Sequence, residues 1–198
     1  MKLRAIDLTY SALFVCLMAI GANITVWFPM LTVPIGGATV PLSLQTFFAI
    51  MAGLMLGRKI GSLSMITYIL IGVAGVPIFA GLKAGPMMLI SPTGGFIISF
   101  VFVAFFVGLI ADKLRNTSIP VYLIASFMGL MMNYFIGVTY MYVAMNTWLE
   151  LHITYTIAWL GMIPFLIKDT ALTILAAVLV VQITKRISLR SVHAVRDI

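Results

Sequence analysis

The chain has 198 residues, of which 63% are hydrophobic and 9% are charged, and its mean hydropathy is +1.18. This composition excludes an ordinary soluble domain and is typical of an integral membrane protein. The formal net charge of +7 does not indicate a nucleic-acid partner, because the basic residues are spread among short segments between apolar runs.

The sequence lacks the residues for three kinds of site: a phosphate-binding loop, a disulfide within the chain and a metal site. There is no GxxxxGK[ST] phosphate loop, so we predict no nucleotide hydrolysis through such a loop. The single Cys16 excludes a disulfide within one chain. His152 has no second His or Cys spaced to complete a metal site, so we predict no metal and no cofactor.

We predict an all-α fold of six membrane-spanning helices that form one domain over residues 1–198. Helices of this kind cross a ~30 Å hydrocarbon core at ~1.5 Å per residue. The amino end is interpreted as the first span rather than a cleaved signal peptide, because the apolar residues are divided among several long segments. The predicted spans cover about residues 8–28, 42–56, 60–76, 96–111, 119–141 and 164–184.

The first span carries small residues on one face. Ala12, Cys16 and Ile20 follow i, i+4 spacing, and the small side chains of the first two allow another helix to approach closely. The partner helix belongs either to another protein or to this same bundle, and the spacing alone leaves both alternatives open.

Two segments between spans are rich in Pro and Gly. Residues 29–41 and 77–95 therefore cannot form regular helix, and we predict that they are loops lying near the membrane. Gln45 follows the first loop and faces either a ligand or another helix. Lys83 lies in the second loop beside Phe79 and other apolar residues, so we predict a partly buried loop in which Lys83 binds an anion.

Lys168 and Asp169 are adjacent charges in an otherwise apolar segment. A charge within a bilayer costs about 2.5 to 3.5 kcal/mol on insertion scales, so these residues should face protein, water or a ligand. Neighbours on a helix point about 100° apart, so we predict that the two do not satisfy each other. We favour a ligand site over structural bonds. Pro164 is predicted to begin the last helix, which places both charges in its first two turns.

The basic residues predict the orientation of the chain. Six spans bring both termini to one side, and the positive-inside rule identifies that side as the cytoplasm. The two Pro/Gly-rich loops and residues 142–163 then lie outside, where we predict that they cap a ligand pocket. Trp27, Trp148 and Trp159 lie near this face, either in an interfacial belt or in the pocket wall. The basic residues on the predicted inner side are Lys2, Arg4, Arg58, Lys59, Lys113, Arg115, Lys185, Arg186, Arg190 and Arg196.

These residues predict the ligand's chemistry: an amphipathic anion with an apolar middle and a polar N–H end. Lys83 or Lys168 would bind its carboxylate, and Asp169 would accept a hydrogen bond from its N–H group.

Several motifs in order resemble the BioY family, the biotin-binding S components of energy-coupling-factor (ECF) vitamin transporters. The motifs are VPLSLQTF (40–47), GLMLGRKIG (53–61), YILIGVAGVPIFAG (68–81), SPTGGF (91–96) and PFLIKD (164–169). The resemblance implies a cell-membrane subunit, itself no enzyme, that binds biotin from outside. It also implies delivery of biotin to a transmembrane coupling protein with two ATPases. The predicted substrate-binding residues are Gln45, Phe79, Lys83, Gly94, Gly95, Trp159, Lys168 and Asp169.

The sequence departs from the family pattern at three places. The docking motif for the coupling protein falls on Ala12 and Cys16, with Cys in place of the usual Ala. The family commonly has Lys three residues after the Asp of the last helix, where this chain has Leu172 and instead carries Lys168. Lys83 stands where the family tends to have a small or amide residue. Biotin is therefore the first predicted ligand, and another carboxylate such as lipoate is the second.

Three other functions compete with this one. A secondary transporter would use Asp169 as its coupling carboxylate, but the sequence has no internal repeat and few ionisable residues within the spans. An intramembrane enzyme would use Lys168, Asp169 and His152, but no catalytic signature supports it. A purely structural subunit would leave the outer loops and charges unexplained.

Overall fold

The computed structural model describes residues 4–35, 38–114 and 118–186. Lys2, Arg115, Arg190 and Arg196, which contribute to the predicted orientation, lie outside these residues. Within them the fold is helical apart from one small β-hairpin. The helices are α1 (Ala5–Ala22), α2 (Ile24–Trp27), α3 (Gln45–Val73), α4 (Met87–Ile90), α5 (Gly94–Leu114), α6 (Ile119–Thr147) and α7 (Tyr155–Arg186).

Five helices of the described residues are long and apolar enough to cross a membrane, namely α1, α3, α5, α6 and α7 up to Lys185. Helix α3 packs most extensively on α5, and α5 packs in turn on α6. Helix α1 lies against α3, while α7 contacts both α6 and α3. The bundle therefore brings α3, α5, α6 and α7 together around a shared interior.

The first helix is shorter than predicted. Helix α1 ends at Ala22, and Asn23 separates it from the single turn of α2. The side-chain amide of Asn23 donates to the carbonyl oxygens of Ala19 (3.0 Å) and Ile78 (3.3 Å). A short amide side chain competes in this way with the regular helical bonds, so the helix is interrupted before Phe28.

Part of the first predicted loop is a β-hairpin. Strand β1 (Thr32–Ile35) pairs antiparallel with β2 (Ala38–Pro41), with Ile35 opposite Ala38. The segment predicted as a loop is thus not helical, as expected, but it contains two short strands, whose Val and Thr residues favour extended backbone. Proline does not prevent pairing, since both strands are edges of a two-stranded sheet.

Helix α3 turns back on itself at Gly57, whose φ is +72°. Gln45 Nε2 lies 2.9 Å from the hydroxyl of Tyr68, 23 residues further along the chain, whereas a straight helix would separate them by about 34 Å. The two arms, residues 45–56 and 58–73, match the second and third predicted spans. Glycine suits the turn because it adopts positive φ without steric penalty. The amide of Arg58 also donates to Asp112 Oδ2 (3.1 Å), which fixes the turn against the end of α5.

The last helix begins earlier than predicted. Helix α7 starts at Tyr155 and contains Pro164 in its interior, while α6 extends to Thr147. A proline within a membrane helix is tolerated because neighbouring groups satisfy the freed backbone carbonyl. Lys168 and Asp169 consequently lie near the middle of α7, and their predicted position in its first two turns was wrong.

Candidate functional site

The carboxylate of Asp169 is the centre of a buried polar cluster. Its side chain is 7% exposed. Oδ2 accepts hydrogen bonds from the hydroxyl groups of Tyr134 (2.9 Å) and Thr46 (3.4 Å). Oδ1 lies 2.8 Å from Lys168 Nζ in an ion pair but accepts no hydrogen bond from the described residues. The prediction that the adjacent charges do not pair was therefore wrong, because the flexible four-carbon stem of lysine reaches around the helix.

Lys168 also connects α7 to the entrance of α3. Its Nζ donates to the carbonyl oxygen of Ser43, which lies between β2 and α3. The side chain is 21% exposed, so the ammonium lies at the edge of the cluster rather than in its interior. The lysine thus links the charge pair to the segment that leaves the β-hairpin.

A chain of buried side chains extends the cluster to α5 and α6. Ser99 Oγ donates to Asn133 Oδ1 (2.7 Å), and Asn133 Nδ2 donates to Thr46 Oγ1 (3.3 Å). Four helices therefore converge on one carboxylate. We call this set the Asp169 cluster, and its members are Thr46, Ser99, Asn133, Tyr134, Lys168 and Asp169.

Sequence reasoning missed four members of this cluster: Thr46, Ser99, Asn133 and Tyr134. Asn133 carried a usable signal, since an amide within an apolar span is expensive unless it is bonded and often marks a functional site. Thr46 adjoins Gln45, which was predicted. Hydroxyl groups such as that of Ser99 are common in membrane helices and give no comparable signal on their own.

Aromatic rings form an apolar wall beside Asp169. Trp159 stacks on Tyr134 with ring centroids 6.5 Å apart and an interplanar angle of 26°. Phe96 meets Tyr134 edge to face at 6.0 Å. The predicted residue Trp159 thus stacks on the ring of Tyr134, whose hydroxyl donates to Asp169. The Asp169 cluster thus combines a few polar and charged groups with aromatic rings, which is the usual lining of a small-molecule site.

Gly94 and Gly95 begin α5 and allow close packing. A Cβ atom on Gly95 would overlap the side chain of Tyr140, and one on Gly94 would overlap the backbone of Leu89. Gly95 lies one turn before Ser99, so these contacts set where α5 enters the Asp169 cluster. The described contacts give both glycines a packing role rather than a bond within the cluster.

Gln45 and Phe79 belong to a second buried network. Gln45 Nε2 donates to the hydroxyl of Tyr68 (2.9 Å), which donates to the carbonyl of Ile78 (3.1 Å). The ring of Phe79 is fully buried, edge to face with that of Tyr68 at 5.5 Å. Of the two alternatives for Gln45, a bond to another helical segment is the one observed.

The same network holds the second loop. Leu82 N donates to Asn23 Oδ1 (2.7 Å), while Phe79 and Lys83 pair through their backbones. The side chain of Lys83 is exposed, so the predicted burial of this loop applies to Phe79 but not to the lysine. We call the set Asn23, Gln45, Tyr68, Ile78, Phe79 and Leu82 the Tyr68 network.

The small-residue face of α1 points away from the bundle. Ala12, Cys16 and Ile20 are exposed, whereas Phe14 and Met18 are buried. The alternative that this face packs within the bundle therefore does not hold. His152 is also exposed, and no group of three metal-ligating side chains occurs in the part of the chain that the structure describes.

Comparison with known proteins places the chain in a family. It is 42% identical to BioYB of Bacillus subtilis (strain 168) over 174 residues, 88% of this chain and 85% of that protein. It is 33% identical to the biotin transporter BioY of Thermotoga maritima over 179 residues, 90% of this chain and 96% of that protein. The crystal structure of the S-component for biotin from an ECF-type ABC transporter superposes with a TM-score of 0.68 at 27% identity, covering 90% of each chain. Since the BioY family model also matches residues 1–189, the chain belongs to the BioY family.

Proposed function

We propose that the chain is the biotin-binding S component of an ECF transporter in the cell membrane. The observation that carries this function is the Lys168–Asp169 pair, with its buried carboxylate and partly exposed lysine, set against the stacked rings of Tyr134 and Trp159. Biotin has the complementary parts: a carboxylate, an apolar chain and a ureido ring with N–H groups. The relatives named above support biotin over other amphipathic anions.

Lys168 Nζ and Asp169 Oδ1 lie 2.8 Å apart, so the two residues bind opposite ends of the ligand only when the flexible lysine side chain turns away from Asp169. Lys168 is partly exposed and carries the cation that a ligand carboxylate requires, and a carboxylate at this position would compete with Asp169 for its Nζ. Asp169 Oδ1 then becomes available to a ligand N–H. Trp159 lies along the apolar part of the ligand.

The remaining predicted residues shape the wall of the pocket. Gln45 of the Tyr68 network directly precedes Thr46 of the Asp169 cluster in α3, so the two regions border each other. Phe79 packs on Tyr68 within the first of these regions. Gly94 and Gly95 set the position of α5. Lys83, on the exposed loop tip, attracts the anion before it enters the pocket.

The chain crosses the membrane six times as one domain over residues 1–198, with both termini in the cytoplasm. The reversal of α3 at Gly57 supports this count, since its two arms add one crossing to the candidate spans. Arg58 and Lys59 follow that turn, and Lys113 lies in the last turn of α5. The hydrogen bond from the Arg58 amide to Asp112 holds the end of α5 beside the α3 turn, so these three basic residues lie at one end of the bundle. A shared basic end supports the cytoplasmic assignment.

A transmembrane coupling protein and two ATPases receive the ligand and supply ATP hydrolysis. Ala12 and Cys16 are the docking residues on this chain, supported by their exposure on α1. Ala12→Trp should then reduce biotin uptake in cells that contain all subunits and leave the biotin affinity of the isolated chain unchanged. Leu13→Trp is the matched control, because Leu13 is exposed on the adjacent face. A loss of affinity with Ala12→Trp would count against the docking role.

A calorimetric titration of the purified chain in detergent tests the ligand assignment. Biotin should bind tightly, and biotin with an amidated carboxylate should bind weakly or not at all. Lipoate is the second candidate, favoured by the position of the cation at Lys168 rather than at Leu172. Binding of lipoate without biotin would move the substrate to another carboxylate, and failure of both would overturn the proposed function. Uptake that persists without the ATPases would support a secondary transporter instead.

A further inference from the structure

The buried hydroxyl of Thr173 lacks a hydrogen-bond partner. In the described part of the chain, three buried side-chain polar atoms accept or donate no hydrogen bond: Ser126 Oγ, Asp169 Oδ1 and Thr173 Oγ1. Thr173 is 1% exposed. An unsatisfied buried hydroxyl is unfavourable, so this one needs a reason. Two of the three atoms lie on α7, four residues apart.

Six other helical hydroxyl groups among the described residues are satisfied locally. Each of them donates to the carbonyl oxygen four residues earlier at 2.7 to 3.0 Å, which is the usual solution for Ser and Thr within apolar helices. Thr173 does not form that bond to the Asp169 carbonyl. Its hydroxyl is available to a different partner. The six are Thr9, Ser62, Ser64, Thr67, Thr147 and Thr184.

Thr173 faces the same interior space as Asp169. Residues four apart on a helix share a face, so Thr173 lies one turn beyond Asp169, about 6 Å along the axis. The side chain of Asp169 points towards Thr46 of α3 and Tyr134 of α6. Asp169 Oδ1, which has the ion pair with Lys168 but no hydrogen bond among the described residues, and Thr173 Oγ1, which has no described partner, thus lie on one buried face one turn apart.

We propose that the ligand pocket extends one helical turn beyond Asp169 to Thr173, where it binds an uncharged N–H/C=O unit such as a ureido or amide group. Asp169 Oδ1 accepts from the N–H, and the Thr173 hydroxyl donates to the C=O, since an ionised carboxylate only accepts and a hydroxyl can donate. One hydrogen bond of about 2.9 Å to the N–H and another to the C=O let such a group bridge Asp169 Oδ1 and Thr173 Oγ1 across one helical turn. This inference rests on the proposed function and fixes the ligand's orientation, with its carboxylate towards Lys168 and its neutral ring deeper in the bundle.

The test compares variants of the full chain in calorimetric titrations with biotin, or in measurements of biotin dissociation where binding is too tight to titrate. Thr173→Val keeps the side-chain shape and removes the hydroxyl, so biotin should bind about tenfold more weakly. Thr173→Ser restores the hydroxyl and should recover most of that loss. Thr184→Val is the matched control on α7, because the hydroxyl of Thr184 is satisfied by Val180, and its affinity should equal that of the wild type.

The melting temperature separates a ligand contact from a structural one. Since the hydroxyl of Thr173 has no partner in the described protein, the ligand-free Thr173→Val variant should melt no lower than the wild type. If Thr173→Val kept the wild-type affinity for biotin, whether or not its melting temperature fell, the inference would be overturned and the proposed function would still stand. If wild-type chain itself does not bind biotin, the proposed function fails first.

Discussion

The Asp169 cluster and the Tyr68 network are both buried and border each other through Gln45 and Thr46, yet they are bonded differently. The Tyr68 network is neutral, and its bonds end on backbone groups of Ile78 and Leu82. The Asp169 cluster contains a charge pair, and one of its carboxylate oxygens accepts no hydrogen bond from the residues that the structure describes. Protein groups therefore satisfy the Tyr68 network, whereas the Asp169 cluster retains an oxygen that can accept a further hydrogen bond.

This difference separates holding the fold from binding a ligand. Neutral hydrogen bonds that tie a loop to two helices stabilise the protein at little desolvation cost. A buried ion pair gains little stability over an apolar pair of the same shape, because removing two charges from water offsets their attraction. The Asp169 cluster is therefore better explained by a ligand that uses its charges than by its contribution to folding.

Removing Lys168 should have the largest effect on the ligand-free protein. Lys168→Met takes away the one described partner of Asp169 Oδ1, and breaking a buried ion pair from one side is strongly destabilising. We expect the free energy of unfolding to fall by about 2 to 4 kcal/mol, since the lysine is partly exposed. Thermal unfolding in detergent measures this change.

The double variant Lys168→Met, Asp169→Leu is the control for that prediction. Replacing both charges by apolar residues should restore most of the lost stability, because no unpaired carboxylate remains. The double variant should nevertheless fail to bind biotin, because both charges of the proposed ligand site are gone. If it bound biotin normally, the charge pair would have no role in the ligand site.

Replacing the carboxylate alone tests the ligand contact. Asp169→Asn keeps the shape of the side chain but replaces an anionic acceptor by an amide, so binding of a ligand N–H should weaken by about 1 to 3 kcal/mol. Titration of the folded variant with biotin measures this loss. Unchanged affinity in a variant with a normal melting temperature would exclude Asp169 as a ligand contact.

The sequence was sufficient to single out the adjacent charges Lys168 and Asp169 and the apolar segments of the bundle. A charge pair stands out in an apolar segment because its insertion is expensive, and this holds whatever the neighbouring helices are. Long apolar runs likewise predict helices, and the gap between the predicted spans 42–56 and 60–76 falls at the turn inside α3. These signals are local, so one chain suffices to find them.

What could not be predicted depends on contacts between distant residues. Tyr134 and Thr46 reach Asp169 only because α6 and α3 pack against α7 in one register, which a single sequence does not contain. The start of α7 was misplaced because Pro164 suits a first helical position, yet the helix continues through it. Lys83 was expected to be partly buried with Phe79, but a turn in the loop exposes it.

The same chemical change in both regions gives the smallest expected effects and the sharpest comparison. Tyr68→Phe leaves Gln45 Nε2 without its partner and removes one of the two hydrogen bonds to the Ile78 carbonyl, the other coming from Asn23, while the ring still packs on Phe79. The free energy of unfolding should fall by about 1 to 1.5 kcal/mol, with biotin affinity changed by less than about threefold.

Tyr134→Phe removes the hydroxyl that donates to Asp169 Oδ2 and should act on binding as well as on stability. Without this bond Asp169 is less firmly oriented towards the ligand, so we expect biotin to bind about 5- to 10-fold more weakly, with a loss of stability at least as large as in Tyr68→Phe because the bond removed is to a charged group. Melting curves and titrations of the two variants, made side by side, check this difference in affinity. If both variants lost stability equally and kept their affinity, the two regions would serve the same structural purpose, because the only group removed in each is a buried phenolic hydroxyl.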